Sequence, residues 1–570
     1  MEVLPDTLEQ LTARLYMLER RVCALEHQPE APDSQLSSQA VAIQPTQVAE
    51  ALPFAQAGGI FSVLGKAMLG IAGAYVLRAV AESTTLPRLA VAAVAIAYAM
   101  FWLALSARVK GGQWLASTIY ASTSALILGP MLWELTLRFK VLSPPLTAGV
   151  LCGFVLGATV LAWKRNLAPV IWVANGSAAL VALALLVATH DMPPFIATLL
   201  LMVLVCEFAA ARNREMSVRP LVAAVADMAI WALVFIYSSA QSTRTDYPPL
   251  SAVKLLSPAF LLFLIYAVSV TMRTVVQKRK ITVFETIQTL IAFLLAACSL
   301  LYFVPGTGAA VLGVICLALS AATHGLFFVF LRGTHQNQTA PRNLRVFAAF
   351  SAALLLAGSW LILPSNWLAA WLGLAALAAT VPGARKGWLT LQNQGLLYLG
   401  AAAVASGLPG YAFRALAGNL PAANWAVCLV AAFAVACYAA AGSLHAEGFS
   451  RRLLQLIPAV LAVCAIAALL VQGLFALGIA ADAFHIAFVR TFILCALALA
   501  LAFGGSRWQR VELNWIAHAT LVFVAAKLLF EDLRHGHLAF IAASIFVFAV
   551  TLLVVPRLAR MGLRGNATPI

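Results

Sequence analysis

Between residues 58 and 556 the chain repeats one motif: an apolar run close to twenty residues long, then a brief polar break. Roughly 20 consecutive apolar residues are what an α-helix needs to cross a bilayer. The alternation predicts eighteen such helices. The first ten lie near 58–80, 87–106, 113–136, 145–163, 167–188, 192–211, 218–239, 250–272, 281–303 and 307–331. Eight more lie near 343–363, 366–382, 388–407, 421–442, 452–478, 483–503, 509–530 and 537–556. Ahead of them the periodicity changes. Leu4, Leu8, Leu11, Leu15, Leu18, Val22 and Leu25 alternate spacings of four and three, the seam of a heptad coiled coil. Asp6 and Glu9 have capping-box spacing, and Pro29 and Pro32 close the segment. Residues 1–28 therefore read as a coiled-coil helix that self-associates or docks on a partner through 6–27. Residues 29–57, rich in Pro, Gln, Ser and Ala, read as a flexible linker.

Composition removes the soluble alternative. Hydrophobic residues make up 63% of the 570 and charged ones 10%, with mean hydropathy +0.93. Soluble domains run near 45–50% and 25%. The expected fold class is an all-α polytopic membrane protein: a transmembrane bundle over 58–556, with the lipid bilayer as its first partner and a short tail over 557–570. The acidic start (Glu2, Asp6, Glu9) predicts no cleaved secretory signal at this end.

The net charge of +16 is organised. Breaks after even-numbered helices, with the tail, hold 23 Lys and Arg residues, among them Arg219, Arg273 and Arg507; odd-numbered breaks and their rims hold eight. By the positive-inside rule both termini face the cytoplasm. Topology thus accounts for the charge, and no nucleic-acid partner is expected.

Familiar chemistry is missing from the pattern. No break is long enough for an ATP-hydrolysing domain. Gly59 to Gly65-Lys66 misses the phosphate-loop spacing, and Ala67 stands where Ser or Thr would hold magnesium. There is no HExxH and no GxSxG. Eight of nine cysteines lie in apolar runs, as small buried hydrophobes do. No metal and no cofactor is expected, and enzymatic activity is the less favoured reading.

Charges inside the spans are costly, so each invites a functional reading. Lys66, Glu207, Glu285 and Glu134 lie near helix ends, where long side chains snorkel to water. Asp227 sits near the middle of its span and is the candidate intramembrane ion or proton site; the alternative is a neutral, hydrogen-bonded acid. The sixteenth and seventeenth helices are antiparallel neighbours across a short turn, which brings Asp482, His485 and Arg490 level with Lys527, Glu531 and Asp532. Lys527 with Glu531, and Arg78 with Glu82, have the i, i+4 spacing of ion pairs. Together with Arg88, these groups form a candidate polar pocket built on Arg78, Glu82, Arg490, Lys527, Glu531 and Asp532, for an anionic or zwitterionic ligand; a structural network pinning three helices is the alternative. Gly149, Gly153 and Gly157 form a double GxxxG ridge for helix packing. Asn175, His324, Gln392, Asn393, Gln394, Gln472 and His518 read as interhelical hydrogen-bonding residues.

Two stretches resemble a known family. In GKAMLGIAGAYVLRAVAESTTLPRLAVAAVAIA, Arg78 ends one helix and Arg88 opens the next; in VFVAAKLLFEDLRHGHLAFIAASIFVFAVTLLVVPRL, Lys527 precedes Asp532-Leu533 by five residues. Both resemble the ends of the bacterial membrane-protein family called domain of unknown function 2339. His535, Gly536 and His537 depart from its usual turn, and only Pro556-Arg557 remains of its ending. The resemblance implies a bacterial inner-membrane location and no particular chemistry. The whole reading leaves three function classes. A transporter or flippase of a small polar or lipid-linked solute comes first. A scaffold or assembly factor recruiting a partner through the coiled coil comes second. A lipid-linked sugar transferase comes third, weakened because residues 81–87 offer only Glu82 where such enzymes commonly present paired acids.

Overall fold

A computed structural model describes residues 52–82, 87–109, 114–165, 167–214, 216–239, 246–333, 340–419, 422–441, 449–477, 482–532 and 538–564. The heptad arm and most of the linker lie outside these residues. The chain divides into two units, Met1–Ser62 and Val63–Ile570. Of the first, only the helical stretch from Leu52 is described.

Nineteen α-helices succeed one another among the described residues. They are α1 (Leu52–Glu82), α2 (Arg88–Arg108), α3 (Trp114–Trp133), α4 (Pro144–Arg165), α5 (Ala168–Ala188), α6 (Met192–Ala211), α7 (Arg219–Ser238), α8 (Ala252–Thr271), α9 (Val283–Phe303) and α10 (Gly308–Gly333). Then come α11 (Ala340–Ile362), α12 (Ser365–Lys386), α13 (Leu389–Ser406), α14 (Leu408–Leu416), α15 (Trp425–Ala441), α16 (Phe449–Ala476), α17 (Ala483–Arg507), α18 (Val511–Lys527) and α19 (Leu538–Arg564). Sixteen are long and apolar enough to cross a membrane. The architecture is all-helical and multi-pass. Two segments read as spans from the sequence differ in kind. The run near 388–407 continues as a broken helix, α13 bending by 62° into α14. Gly407 makes the break with φ +72, a left-handed conformation open to glycine, and Pro409 stands in the first turn of α14. The run near 421–442 forms α15, only 17 residues long. The ends also shift. The first helix starts at Leu52, inside the expected linker, and the last continues through Pro556 to Arg564.

Packing is led by small residues. The largest core cluster joins α2 to α9. Others join α10 to α16 and α16 to α19. Lipid tails are as apolar as leucine, so close backbone approach matters more here than hydrophobicity. The α10–α11 hairpin shows it: a Cβ on Gly358 would lie 2.8 Å from the Gly313 carbonyl oxygen. The expected glycine ridge of α4 does not behave this way. Only Gly157 meets a neighbour, Met100 of α2; Gly149 and Gly153 face open space. The buried stripe of α4 instead runs through Ala148, Leu151, Val155, Ala158 and Ala162. Two positions separate Gly149 from Leu151, about 200° around the helix, which turns the ridge away.

Three helices end in π turns: Glu134–Arg138 after α3, Met272–Val276 after α8 and Leu528–Asp532 after α18. Each wider turn adds a residue and re-aims the chain beyond it. All three carry charged side chains.

Candidate functional site

The residues expected to share one pocket fall into two clusters. In the first, α1 and α3 meet. Arg78 pairs with Glu134 at 2.8 Å and approaches Glu82 at 3.7 Å, and Arg138 reaches Glu82 at 3.0 Å. The i, i+4 pair is therefore present, as part of a ring of two guanidiniums and two carboxylates. The π turn after α3 is what presents Glu134 and Arg138 together. Below the ring α1 leaves its neighbours. It is pinned lower down, where Gly70 and Gly73 admit Trp102 and Tyr98 of α2, and the Tyr98 hydroxyl donates to the Gly70 carbonyl at 3.0 Å. Between the pin and the ring lies a cleft of about 290 Å³. Its walls are apolar, from Ile71 and Ala74 of α1, Ala92 and Ala95 of α2, and Ile127 and Met131 of α3, with Arg78 and Glu134 at the rim. The side chain of Arg88 lies outside the described residues.

The second cluster joins α17 to α18. Arg490 is 2% exposed. Its Nη2 donates to Glu531 Oε2 at 3.0 Å, and the same guanidinium donates to Glu531 Oε1 and to the Leu416 carbonyl at the end of α14. Gly418 leaves the room: a Cβ there would lie 2.9 Å from Arg490 Nη1. Lys527 corrects the expected pairing. It bonds Asp532, five residues on, at 2.6 Å and not Glu531, because the π turn replaces the i, i+4 register with i, i+5. Its other donors go to the Ala487 carbonyl and to Thr491 Oγ1, each at 2.9 Å, and Thr491 donates to Asp532 Oδ2 at 3.1 Å. Asp482 and His485 stand apart, 3.6 Å from each other. Arg78 and Glu82 pair within α1–α3 and Arg490 and Lys527 within α17–α18, so each half balances its own charge.

A third cluster joins the ends of α6, α7, α8 and α9. Glu207 and Glu285, expected to snorkel, are only 3% and 2% exposed. They turn inward because buried guanidiniums meet them. Arg219, first residue of α7, clasps Glu207 of α6 through Nε at 2.6 Å and Nη2 at 2.8 Å, and reaches Glu285 of α9 at 3.4 Å. Arg273, on the π turn after α8, pairs with Glu285. Ser269 donates to Glu207 Oε2 at 2.6 Å, and the Arg219 guanidinium lies 5.0 Å from the Phe284 ring centre. Glu285 also completes a capping box with Thr282. Helix dipoles explain why the clasp is tight. Glu285 at a helix start and Arg273 at a helix end suit the dipole, whereas Glu207 at an end and Arg219 at a start oppose it and lean on each other. Equal spacing was the available signal: twelve residues separate Glu207 from Arg219 and Arg273 from Glu285.

Asp227 lies deeper along α7. Its Oδ2 accepts from Gln288 Nε2 at 2.7 Å, and its Oδ1 is buried without a partner. At the other end of α6, outside the spans, burial pushes the Asp191 carboxyl above the usual carboxylate range, against the pull of Lys254. Of the dispersed polar residues, Gln394 donates to the Ala348 carbonyl of α11, the His324 ring meets the Tyr398 hydroxyl at 3.4 Å, and Gln472 accepts from Tyr411. Asn175 and His518 instead bond within their own helices. Among the described residues, no group of three or more His, Cys, Asp or Glu side chains is placed to hold a metal ion. Compared with family models, curated proteins and solved structures, the chain finds no match.

Proposed function

We propose that the protein is a multi-pass transporter or flippase of the bacterial inner membrane, handling a small polar group carried on an apolar chain. One observation carries this reading: the apolar cleft of α1–α3 ends at Arg78 and Glu134, which belong to a ring of two guanidiniums and two carboxylates. An acyl chain gains little by leaving lipid for such a cleft, because both are equally apolar. Selectivity must therefore come from the rim. Paired opposite charges suit a zwitterionic head, with phosphate against Arg78 or Arg138 and ammonium against Glu82 or Glu134, through charge-assisted hydrogen bonds. The broken span α13–α14 supports transport as well, since interrupted helices are common around transporter sites. Counting α13–α14 as one crossing and α15 as another beside the sixteen gives eighteen. An even number returns both termini to one side, and the 23 basic residues of the even breaks and tail make that side cytoplasmic. The cleft then opens toward the outer leaflet.

The test uses full-length protein in vesicles of phosphatidylethanolamine and phosphatidylglycerol. A head-labelled phosphatidylethanolamine should change leaflets faster than in protein-free vesicles. Ala74→Phe, which fills the cleft, should slow it roughly tenfold, equivalent to about 1.4 kcal/mol of barrier. No movement above the blank, or an unchanged rate in the filled variant, refutes the reading.

A further inference from the structure

We infer that Asp227 is a proton-binding site: a neutral carboxylic acid at physiological pH whose proton exchanges from the end of the α6–α9 bundle that carries Glu207. The inference is independent of the α1–α3 cleft.

The argument is one of charge and position. Facing Asp227 are the titratable and charged groups of the elements packed on α7. From α6 come Cys206 and Glu207, from α8 and the π turn after it Lys254, Tyr266 and Arg273, and from α9 Glu285, Cys298 and Tyr302. The α7 helix itself adds Arg219 and Tyr237, and α5 (Ala168–Ala188) contributes no titratable residue. At the Glu207 end the cations are Arg219 and Arg273, and Glu207 and Glu285 are bonded to them; the third cation, Lys254, stands at the opposite end of α8, where it acts on Asp191. The four groups at the Glu207 end sum to zero, and Lys254 lies twelve residues, about 18 Å, along α8 from Tyr266. An ionised Asp227 would therefore add one negative charge with no protein cation to meet it. Arg219 does not serve. It is clasped by Glu207, and eight residues of α7 place Asp227 about 12 Å along the axis from it. A carboxylate without a cationic partner in the apolar middle of a span neutralises by taking up a proton.

The geometry says which oxygen takes it. Oδ2 accepts from Gln288 and keeps the carbonyl role; Oδ1, buried and without a donor, carries the hydroxyl. Register determines access. Gln288 lies one turn beyond Glu285 on α9, and Tyr266 one turn before Ser269, whose hydroxyl donates to Glu207. Toward the opposite end the bundle is filled by Ile230 and Leu233 of α7 and Ala259 and Leu262 of α8, all fully buried. Polar neighbours thus lie on one side of Asp227 and a dry apolar plug on the other.

The experiment is infrared spectroscopy of the full-length protein in phosphatidylcholine vesicles at neutral pH, compared with Asp227→Asn. The substitution keeps an oxygen for Gln288 to donate to. A protonated-carboxyl band should appear in the natural protein, vanish in Asp227→Asn, move in Gln288→Leu, and shift within minutes in heavy water. Raising the pH should remove it. Absence of the band at neutral pH overturns the inference. So does a band that stays unshifted after hours in heavy water, which marks a sealed structural acid. Loss of the band on adding sodium chloride at constant pH overturns it in favour of a metal-cation site. None of these outcomes requires transport, so failure here and failure of the flippase reading are separable.

Discussion

The ionic clusters of α6–α9 and α17–α18 use similar parts and differ in access. Each places two cations against two carboxylates, and each sits beside a π turn. In α6–α9 all four side chains are closed off, none more than 8% exposed. In α17–α18 three are buried, but Glu531 keeps 39% of its side chain exposed opposite an Arg490 side chain at 3%. A closed network fixes helices relative to one another. A half-open one holds a buried cation by a carboxylate whose outer edge is exposed. Connectivity explains the difference. Four helix ends converge on the first cluster, whereas the second lies between two neighbouring helices and the end of the short α14.

The largest effect should come from breaking the closed cluster. Arg219→Gln leaves Glu207 with only Ser269 and Arg273 alone against two carboxylates. Removing one member of a buried pair typically costs about 3–5 kcal/mol. The thermal midpoint and the yield of folded protein in detergent should both fall sharply, and Glu207→Gln combined with Arg219→Gln should recover part of the loss. A single variant as stable as the natural protein would mean that the cluster is hydrated, and the contrast with α17–α18 would be lost.

Much of this architecture is legible in the sequence. Apolar run length locates the helices because a span is a local property, and a short turn dictates the antiparallel placement of Arg490 beside Lys527. The α6–α9 cluster is not legible in the same way. Position near a helix end gives Glu207 and Glu285 a depth, and depth alone favours snorkelling. Their actual partners, Arg219 and Arg273, read equally well as loop charges that set topology. Which of four helix ends converge is a lateral fact, and a hydropathy pattern carries no lateral information. The Lys527–Asp532 pair escapes for a different reason. The i, i+4 rule assumes an α-helix, and the π turn is a backbone choice that the side-chain pattern does not announce.

The second effect sharpens the comparison within the C-terminal cluster. Lys527 and Asp532 are both buried, so Lys527→Met should cost about 3 kcal/mol, close to the closed cluster. The double change with Asp532→Asn should return most of it, since a buried pair replaced by neutral groups is often near neutral. Equal instability of the single and double variants would show that the bonds of Lys527 to the Ala487 carbonyl and Thr491 matter more than its charge partner.

The smallest effect should come from Glu531→Gln, and it tests the difference in access directly. Glu531 is the exposed member of its pair, and the guanidinium it leaves behind still donates to the Leu416 carbonyl. The new amide oxygen accepts one of the two lost bonds, and water reaches the other position from the exposed side. A cost of about 1 kcal/mol or less is expected, as for partly exposed pairs. The vacated position faces a permanently charged guanidinium, whose planar fork suits oxyanions. Added inorganic phosphate should therefore raise the midpoint of Glu531→Gln above that of the same variant in chloride at equal ionic strength. Glu207→Gln, tested beside it, should show no phosphate response, because no anion reaches Arg219 without unpacking α6 from α7. If phosphate stabilises neither variant, and Glu531→Gln falls as far as Arg219→Gln, then the exposed edge of Glu531 gives no route to Arg490. The two clusters would then be closed alike, and the C-terminal one would be a structural pin.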